Sequence, residues 1–253
     1  MSFLQRIRVE KEAEVAMLLA DPPSLETLGQ TRSLFRALNG PDLAAIAEIK
    51  RRSPTRGDIR AGVVPAALAQ DYERAGARAI SMLTDGPHFG GSMSELRAVR
   101  EAVSIPVLRK DFLIHPIQVD EARAGGADAV LLIVAMLSDL ELTEMLSRTH
   151  ALNMEALVEV HDTEELQRAL KSPAQIIGVN NRNLKSLEID LCNGEQMLPQ
   201  CDPSRIRVAE SGIFDRADVN RMRKAGADAI LVGSSLMLAK EPGKALEALL
   251  CPA

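Results

Sequence analysis

Three stretches of the chain share one pattern: Arg74-Ala-Gly-Ala-Arg-Ala-Ile80, Ala124-Gly-Gly-Ala-Asp-Ala-Val130 and Lys224-Ala-Gly-Ala-Asp-Ala-Ile230. In each stretch a helical segment ends at glycine and a short apolar run follows. Glycine accepts the left-handed backbone that ends many helices, and small alanines allow a helix to lie close to a sheet. Chance recurrence of Ala and Gly is the alternative, but a similar apolar run follows all three. The pattern therefore indicates a repeated junction between a helix and a strand.

On both sides of these junctions, short β-rich runs alternate with segments of helical period along the chain. The predicted strands are residues 43–50, 79–84, 106–112, 129–134, 156–160, 176–180, 206–210 and 229–233. Helix starts are indicated by possible capping boxes at Ser92, Ser138 and Asp162, and by first-turn prolines at Pro65, Pro116 and Pro242.

Apolar strands separated by helices indicate a parallel sheet, and eight such units of uniform composition favour closure. We therefore predict an α/β fold, a single-domain (β/α)8 TIM barrel over residues 1–253. A doubly wound open sheet is the alternative, because the number of strands does not prove closure. Residues 1–42 form an N-terminal helical extension with helices predicted at 3–19 and 24–38. The extension covers either the bottom of the barrel or its active-site end.

Composition excludes several classes of protein. The chain has 253 residues, a net charge of −5, 2% aromatic residues and no Trp, which argues against nucleic-acid binding. The longest apolar run, residues 129–137, is about half of what a membrane-spanning helix needs. Charged residues near the N-terminus argue against a signal peptide, and three cysteines without metal-site spacing fit a reduced, cytoplasmic protein. We expect a monomer that binds no nucleic acid and no membrane.

Charged and polar residues stand at the carboxyl ends of five predicted strands, where a barrel carries its catalytic groups. They are Glu48 and Lys50, Lys110, Glu159, Asn180 with Arg182, and Glu210 with Ser211. A solvated residue at a strand end is the ordinary interpretation of any one of them. Five strands that end alike predict instead a cluster in which lysines and carboxylates shift one another's pKa values. A purely structural ion-pair network is the alternative.

A phosphate site is predicted in the loops that follow the last two strands. Glu210-Ser-Gly212 and Gly233-Ser-Ser235 provide glycines through which backbone N–H groups can approach a ligand, and Ser53 is a further donor. The four histidines, His88, His115, His150 and His161, lack metal-ligand spacing, and we interpret them as structural or exposed. We predict no metal.

Six ordered motifs resemble those of the indole-3-glycerol phosphate synthase family. They are Glu48-Ile-Lys-Arg-Arg-Ser-Pro54, Leu108-Arg-Lys-Asp-Phe112, Val158-Glu-Val-His161, Gly178-Val-Asn-Asn-Arg-Asn-Leu184, Ala209-Glu-Ser-Gly212 and Leu231-Val-Gly-Ser234. The resemblance extends over nearly the whole chain. It implies a carbon–carbon lyase of tryptophan biosynthesis that needs no cofactor and converts 1-(2-carboxyphenylamino)-1-deoxyribulose 5-phosphate to indole-3-glycerol phosphate.

The resemblance also implies roles for the predicted site residues. Lys110 is the candidate acid at the substrate carbonyl, and Glu159 is the candidate base for the final dehydration. Lys50 either pairs with the substrate carboxylate or acts as an acid in the dehydration. Glu48, Glu210 and Asn180 orient the lysines or bind polar groups of the substrate. The expected binding residues are Phe89, Phe112, Leu131 and Leu231 for the aromatic ring, Ser53, Gly212, Gly233 and Ser234 for the phosphate, and Arg182 and Ser211 for the sugar.

Two rival functions stay open at this stage. A Schiff-base aldolase would use Lys110 or Lys50 as a nucleophile of lowered pKa, although nearby carboxylates should raise that pKa. A phosphate-binding barrel without catalytic activity would keep the glycine loops but would not need the acid and base groups.

Overall fold

Eight parallel strands close into a barrel. The computed structural model describes residues 3–26, 29–54, 57–60, 62–184 and 186–251. Its barrel strands are β1 (Ala44–Ile49), β2 (Ala79–Leu83), β3 (Val107–Lys110), β4 (Ala129–Ile133), β5 (Glu155–Val160), β6 (Ile176–Asn180), β7 (Ile206–Glu210) and β8 (Ala229–Val232). Neighbours in the chain are neighbours in the sheet, and β1 pairs with both β2 and β8. The (β/α)8 TIM barrel is therefore confirmed, and the open sheet is excluded.

The predicted strands agree with the observed ones to within a few residues at each end. All residues of β1, β2, β4, β6 and β8 are buried, because helices cover the outside of the sheet and side chains fill its interior. This burial explains why the strands read as nearly continuous apolar runs. Polar residues in such a run are exceptions, and they lie mainly at strand ends.

Helices separate the strands and surround the barrel. They are α1 (Phe3–Ala20), α2 (Leu34–Leu38), α3 (Pro65–Arg74), α4 (Gly86–Phe89), α5 (Met93–Ala102), α6 (Pro116–Ala124), α7 (Asp139–Ala151), α8 (Thr163–Lys171), α9 (Cys192–Met197), α10 (Arg216–Lys224), α11 (Ser234–Leu238) and α12 (Pro242–Leu250). Pro65, Pro116 and Pro242 occupy first-turn positions, as predicted.

The predicted N-caps form, but two of the capping boxes are incomplete. Ser92, Ser138 and Asp162 each accept a backbone N–H three residues ahead. At Ser138 the bond is reciprocal. Glu95 instead pairs with Arg51 of the first loop, and Glu165 binds His161. These two glutamates thus connect their helices to loops at the C-terminal end of the barrel.

The N-terminal extension reaches both ends of the barrel. Helix α1 lies at the C-terminal end, where Arg8 donates to the carbonyl oxygen of Met136 at 2.6 Å and to Glu141 at 2.6 Å. Helix α2 lies at the N-terminal end, where Glu155 at the start of β5 accepts hydrogen bonds from Ser33 and Phe35. Each of the two placements left open by the sequence is therefore correct for one part of the extension.

The helix predicted at 24–38 is wrong except for its last turns, Leu34–Leu38. Residues 29–33 are non-helical, because their backbone groups bond to the barrel instead of to one another. The N–H of Arg32 donates to Asp128 at 2.8 Å, and Arg100 donates to the carbonyl oxygen of Gln30 at 3.0 Å. Tertiary hydrogen bonds have overridden local helix propensity in this segment.

Two further observations concern the described part of the chain as a whole. None of its helices combines the length and the apolar character that a bilayer crossing requires. Its three cysteines are unpaired, with Cys192 and Cys251 exposed and Cys201 buried.

Candidate active site

A cavity of about 560 Å³ opens at the C-terminal ends of the strands. Every site residue predicted from the sequence lines it. The predicted catalytic residues are Glu48, Lys50, Lys110, Glu159, Asn180 and Glu210; the predicted binding residues are Ser53, Phe89, Phe112, Leu131, Arg182, Ser211, Gly212, Leu231, Gly233 and Ser234. The barrel brings them together because parallel strands place all their carboxyl ends on one rim.

Lys110 lies between two carboxylates at the centre of this cavity. Its Nζ donates to Oε2 of Glu159 at 2.9 Å and lies 3.5 Å from Oε2 of Glu210. The side chain of Lys110 is 14% exposed, and those of the two glutamates are almost fully buried. The ammonium group of Lys110 therefore faces the cavity while it contacts two buried carboxyl groups.

The pKa values of the two glutamates shift in opposite directions, although Lys110 lowers both. Burial alone would raise the pKa of Glu159, but Lys110 and His161 outweigh it and hold that pKa well below its usual range. Burial, together with the Glu159 carboxylate, raises the pKa of Glu210 to about 8. Burial would lower the pKa of Lys110, but Glu159 and Glu210 overcome it and raise that pKa. At neutral pH, Glu159 is therefore ionised, Glu210 carries a proton and Lys110 is a cation.

Glu48 and Lys50 form a second acid–lysine pair on the opposite side of the cavity mouth. Lys50 Nζ donates to Oε1 of Glu48 at 2.6 Å. Burial would raise the pKa of Glu48, but the ammonium groups of Lys50 and Lys110 lower it. The two residues are two positions apart on and just after β1, as the alternation of side chains predicted.

Two glycines provide the space that these carboxylates occupy. A Cβ added to Gly178 on β6 would clash with Oε1 of Glu210, and one added to Gly233 would clash with the carboxyl group of Glu48. Oε1 of Glu210 is buried and has no hydrogen-bond partner. Glycine in a strand interior often marks such a close approach.

Asn180 orients Glu159 from the neighbouring strand. Its Nδ2 donates to Oε1 of Glu159 at 3.1 Å, and its Oδ1 accepts the backbone N–H of Arg182 at 3.0 Å. The two oxygens of Glu159 thus contact different groups, since Oε2 faces Lys110.

The loops after β7 and β8 form a rim of backbone groups. Ser211 and Gly212 both have positive φ, +63° and +79°, which turns the chain sharply after Glu210. Asn181 supports this turn by donating to the carbonyl oxygens of Glu210 and Ser211 at 3.0 and 3.1 Å. Asn181 was not predicted, although it lies inside the motif Gly178–Leu184. Ser235 connects the two loops by donating to the carbonyl oxygen of Ile213.

Apolar side chains form the opposite wall. The rings of Phe89 and Phe112 are 6.1 Å apart and tilted by 41°. Leu131 and Leu231 lie deeper and are almost completely buried. Further apolar lining residues that the sequence did not single out are Leu83, Ile133, Leu184, Leu187, Ile189, Ile213 and Phe214.

Helix α1 contributes a part of the cavity that the sequence analysis missed. Its residues Arg6, Ile7 and Glu10 line the mouth. Lys11, 2% exposed, anchors the helix by pairing with Asp85 and Asp111 at 2.9 Å each. Burial would raise the pKa of Asp111, but Arg109 and Lys11 lower it to about 2. The missed signal is a lysine on a helix face that is otherwise buried.

His161 is a further residue whose sequence-based interpretation needs correction. It was grouped with structural or exposed histidines, yet its Nε2 lies 3.0 Å from Oε1 of Glu159. His88 also lies at the mouth, where its Nε2 is 2.6 Å from Oε2 of Glu10. The available signal was spacing, because His161 follows Glu159 by two positions and so shares its face.

The arrangement supports acid–base chemistry. A cationic lysine, an ionised carboxylate and a protonated carboxyl group lie within one partly closed cavity, so protons can be given and taken at neighbouring points. Within the described ranges, no three His, Cys, Asp or Glu side chains are grouped to hold a metal ion. Ammonium groups occupy the positions between the carboxylates.

Comparisons with known proteins show the family of the chain. The family profile for indole-3-glycerol phosphate synthase matches residues 4–249. An indole-3-glycerol phosphate synthase of Mycolicibacterium gilvum is 47% identical over 247 residues, which cover 97% of this chain and 91% of the relative. One of Exiguobacterium sibiricum is 45% identical over 249 residues, covering 98% and 96%.

Similarity to more distant solved structures concerns the fold alone. A thiamine phosphate pyrophosphorylase from Pyrococcus furiosus has a TM-score of 0.61 at 21% identity and covers 86% of this chain and 96% of its own. A 3-hexulose-6-phosphate synthase has a TM-score of 0.63 at 18% identity and covers 82% and 98%.

Proposed function

Because the chain belongs to the indole-3-glycerol phosphate synthase family, we propose that the cavity described above carries out the reaction of that family. The substrate is 1-(2-carboxyphenylamino)-1-deoxyribulose 5-phosphate, and the products are indole-3-glycerol phosphate, carbon dioxide and water. The protein is a decarboxylating carbon–carbon lyase of tryptophan biosynthesis. The observation that carries the assignment of roles is Lys110 between Glu159 and Glu210.

Lys110 acts first, as the acid of ring closure. The aromatic carbon that bears the carboxylate attacks the ketone carbon of the sugar, and Lys110 gives a proton to the ketone oxygen. The bond to the carboxylate then breaks, its electrons restore the aromatic ring, and carbon dioxide leaves. The raised pKa of Lys110 supports this role, because the lysine arrives at the reaction charged and aimed into the cavity.

Glu159 acts next, as the base of the dehydration. The new hydroxyl group leaves as water after taking a proton, and Glu159 removes a proton from the neighbouring methylene carbon so that the five-membered ring becomes aromatic. The lowered pKa of Glu159 keeps it ionised and ready to accept that proton. Two roles fit Lys50: an acid for the departing hydroxyl group, or a partner of the substrate carboxylate before it leaves.

The remaining polar groups hold the reactants in place. Glu48 orients Lys50, to which it bonds at 2.6 Å, and Asn180 orients Glu159. Glu210 carries a proton near neutral pH and can therefore donate to a sugar hydroxyl group. Arg182 and Ser211 support the sugar from the loops after β6 and β7.

Binding is divided between two walls. The phosphate lies against Ser53, Gly212, Gly233 and Ser234, where backbone N–H groups and hydroxyls can approach it. The anthranilate ring lies among Phe89, Phe112, Leu131 and Leu231. The net charge of −5 gives the protein no general attraction for anions, so these local donors must hold the anionic substrate.

The state of Lys110 argues against a Schiff-base aldolase. An amine nucleophile needs a lowered pKa, whereas Glu159 and Glu210 raise that of Lys110. Reduction with borohydride in the presence of substrate tests the point directly. Mass spectrometry should find no covalent adduct on Lys110.

The experiment that tests the proposed function follows the absorbance and fluorescence of the indole product. We expect wild-type turnover and a loss in kcat of about a hundredfold or more in Lys110→Met, because the proton donor to the ketone is gone. Lys171→Met, which removes an exposed lysine, serves as the matched control and should retain activity. No turnover by the folded wild-type protein would overturn the assignment and favour a binding function.

We propose further that the enzyme is a cytoplasmic monomer that binds its phosphorylated substrate without a cofactor, a nucleic acid or a membrane. Net negative charge supports the exclusion of nucleic acid. Gel filtration with light scattering should give a mass near 27.4 kDa.

A further inference from the structure

His161 is a buried titratable side chain that has no catalytic role in this proposal but touches a catalytic residue directly. His161 is the first residue after β5, and its side chain is 7% exposed. Its Nε2 lies 3.0 Å from Oε1 of Glu159, and its Nδ1 lies 3.0 Å from Oε2 of Glu165. The imidazole thus stands between two carboxylates, one in the cavity and one on α8.

This position favours the charged ring. Nδ1 is within hydrogen-bond distance of Glu165, whereas Nε2 lies 3.0 Å from Glu159 without an aligned hydrogen bond. A positive charge on the ring is attracted by both carboxylates. Although burial would lower it, hydrogen bonding and charge from Glu159 and Glu165 raise the pKa of His161 to about 10.

Both the ring and the backbone of His161 are held in place by neighbouring side chains. Glu165 accepts the backbone N–H of His161 at 2.8 Å as well as contacting the ring. Asn193 donates to the carbonyl oxygens of both His161 and Asn180, at 3.1 and 3.0 Å. Glu165 is available for this task because it does not complete the capping box of its own helix.

Glu159 is therefore surrounded by a defined set of groups. Lys110 faces its Oε2 from β3, and His161 faces its Oε1 together with the uncharged amide of Asn180. The other charged groups near the pair are Glu210 from β7, Glu48 from β1 and Glu165 from α8. Lys110 lies near both Glu159 and Glu210, whereas the contact with His161 belongs to Glu159 alone.

We infer that His161 is a positioning residue that keeps Glu159 ionised and oriented, so that of the two neighbouring carboxyl groups Glu159 is the base and Glu210 holds the proton. Lys110 alone does not distinguish strongly between them, because it lies close to both. The charged ring of His161, which contacts Glu159, does distinguish between them. The role of Glu159 as the base rests on the proposed function, but the charge on the His161 ring can be measured independently of that function.

The activity test compares pH profiles of wild type, His161→Gln and Glu165→Gln. Removing a unit positive charge 3.0 Å from a carboxylate raises the pKa of that carboxylate. In His161→Gln we expect the acid limb of kcat to move upward, with kcat at pH 6 at least about tenfold below its value at pH 8. KM should change by less than about twofold, because His161 does not line the cavity.

Two further variants separate positioning from simple damage to the fold. Glu165→Gln removes the outer carboxylate, so the His161 ring is less fully charged. The acid limb of the kcat profile should therefore move upward, but by less than in His161→Gln. His115→Asn is the matched control, since His115 accepts the N–H of Ile117 at a helix start and should leave the profile unchanged. A His161→Gln profile with the wild-type shape, from a variant that turns over substrate, would overturn the inference.

The second measurement needs neither turnover nor a variant that folds well. In NMR spectra of ring-labelled wild-type protein, we expect the His161 imidazole to remain protonated well above pH 8. A titration near 6.5, the ordinary value for histidine, would contradict the inference. If folded wild type shows no turnover, the proposed function fails, and the ring titration still decides whether His161 carries the charge.

Discussion

Strand β5 carries a glutamate at each end, and the two differ in what binds them. Glu155 begins the strand at the bottom of the barrel and accepts Ser33 Oγ at 2.7 Å and the backbone N–H of Phe35 at 2.6 Å. Glu159 lies near the end of the strand, in the cavity, and contacts Lys110, Asn180 and His161. Glu155 is bound only by donors that keep their protons, whereas Glu159 also contacts an ammonium and an imidazole group that can exchange them.

The same difference separates the two ends of the barrel. At the bottom, Asp128 accepts the backbone N–H groups of Arg32 and Val107, and Asp228 binds Arg207 through both oxygens. Amide and guanidinium groups do not titrate near neutral pH. At the top, ammonium, imidazole and carboxyl groups are crowded together, and Glu210 keeps one oxygen without a partner. The carboxylates of Asp128 and Asp228 at the bottom stabilise the fold, whereas those of Glu159 and Glu210 at the top are kept reactive.

Glu159→Gln should produce the largest effect. The variant retains the shape of the side chain but cannot accept the proton, so we expect kcat to fall by about a hundredfold or more. The melting temperature should change little, because Lys110 can pair with Glu210 instead. Product fluorescence and calorimetry measure the two quantities. A large loss of stability with normal kcat would mean that Glu159 behaves like the glutamate at the other end of its strand.

Glu155→Ala should have the opposite outcome, a moderate loss of stability with unchanged kcat. It leaves the N–H of Phe35 and the hydroxyl of Ser33 without their acceptor, so the free energy of unfolding should fall by about 1–2 kcal/mol. Denaturant unfolding measures this loss. The kcat of the folded variant should match wild type, and a drop in kcat beyond about threefold would show that the two ends of the barrel are coupled.

The smallest effect concerns the pH dependence of stability. Folded Glu210 has a pKa of about 8, raised from 4.5, so its contribution to stability is complete below about pH 4.5 and is lost as the pH rises towards 8. In Glu210→Gln this loss disappears. Relative to the variant, wild type should therefore become less stable by on the order of 1 kcal/mol between pH 5 and pH 6. Parallel curves for the two proteins would contradict the assignment of the proton to Glu210.

Much of the barrel and of its catalytic rim could be predicted because both follow from local patterns. Strand burial on both faces produces apolar runs such as residues 129–133, and the αβ junctions recur with glycine at positive φ, as at Gly76, Gly126 and Gly226. Lys110, Glu159 and Glu210 interrupt such runs at their ends. In a parallel barrel the strand end alone places a residue on the catalytic rim.

Other parts of the site could not be predicted because distant segments build them. The segment 29–33 is non-helical because Asp128 and Arg100 bind its backbone, which no local signal reveals. Lys11 resembles an ordinary helix-surface lysine in the sequence, yet Asp85 and Asp111 bury it and fix α1 at the mouth. Residues of α1 therefore line a cavity that the sequence assigns only to strand ends and their loops.

Local patterns were enough to predict the order of strands and helices, the closed barrel that this order favours, and the rim on which the charged residues meet, because side-chain alternation and glycine junctions are local properties. Which groups carry protons depends instead on contacts between distant segments. Glu159 and Glu210 are the same residue type at equivalent strand ends. The contacts with Lys110 and His161 keep Glu159 a carboxylate, whereas burial and the charge of Glu159 make Glu210 an acid. A pKa depends on neighbours in space, and those neighbours come from different strands and helices.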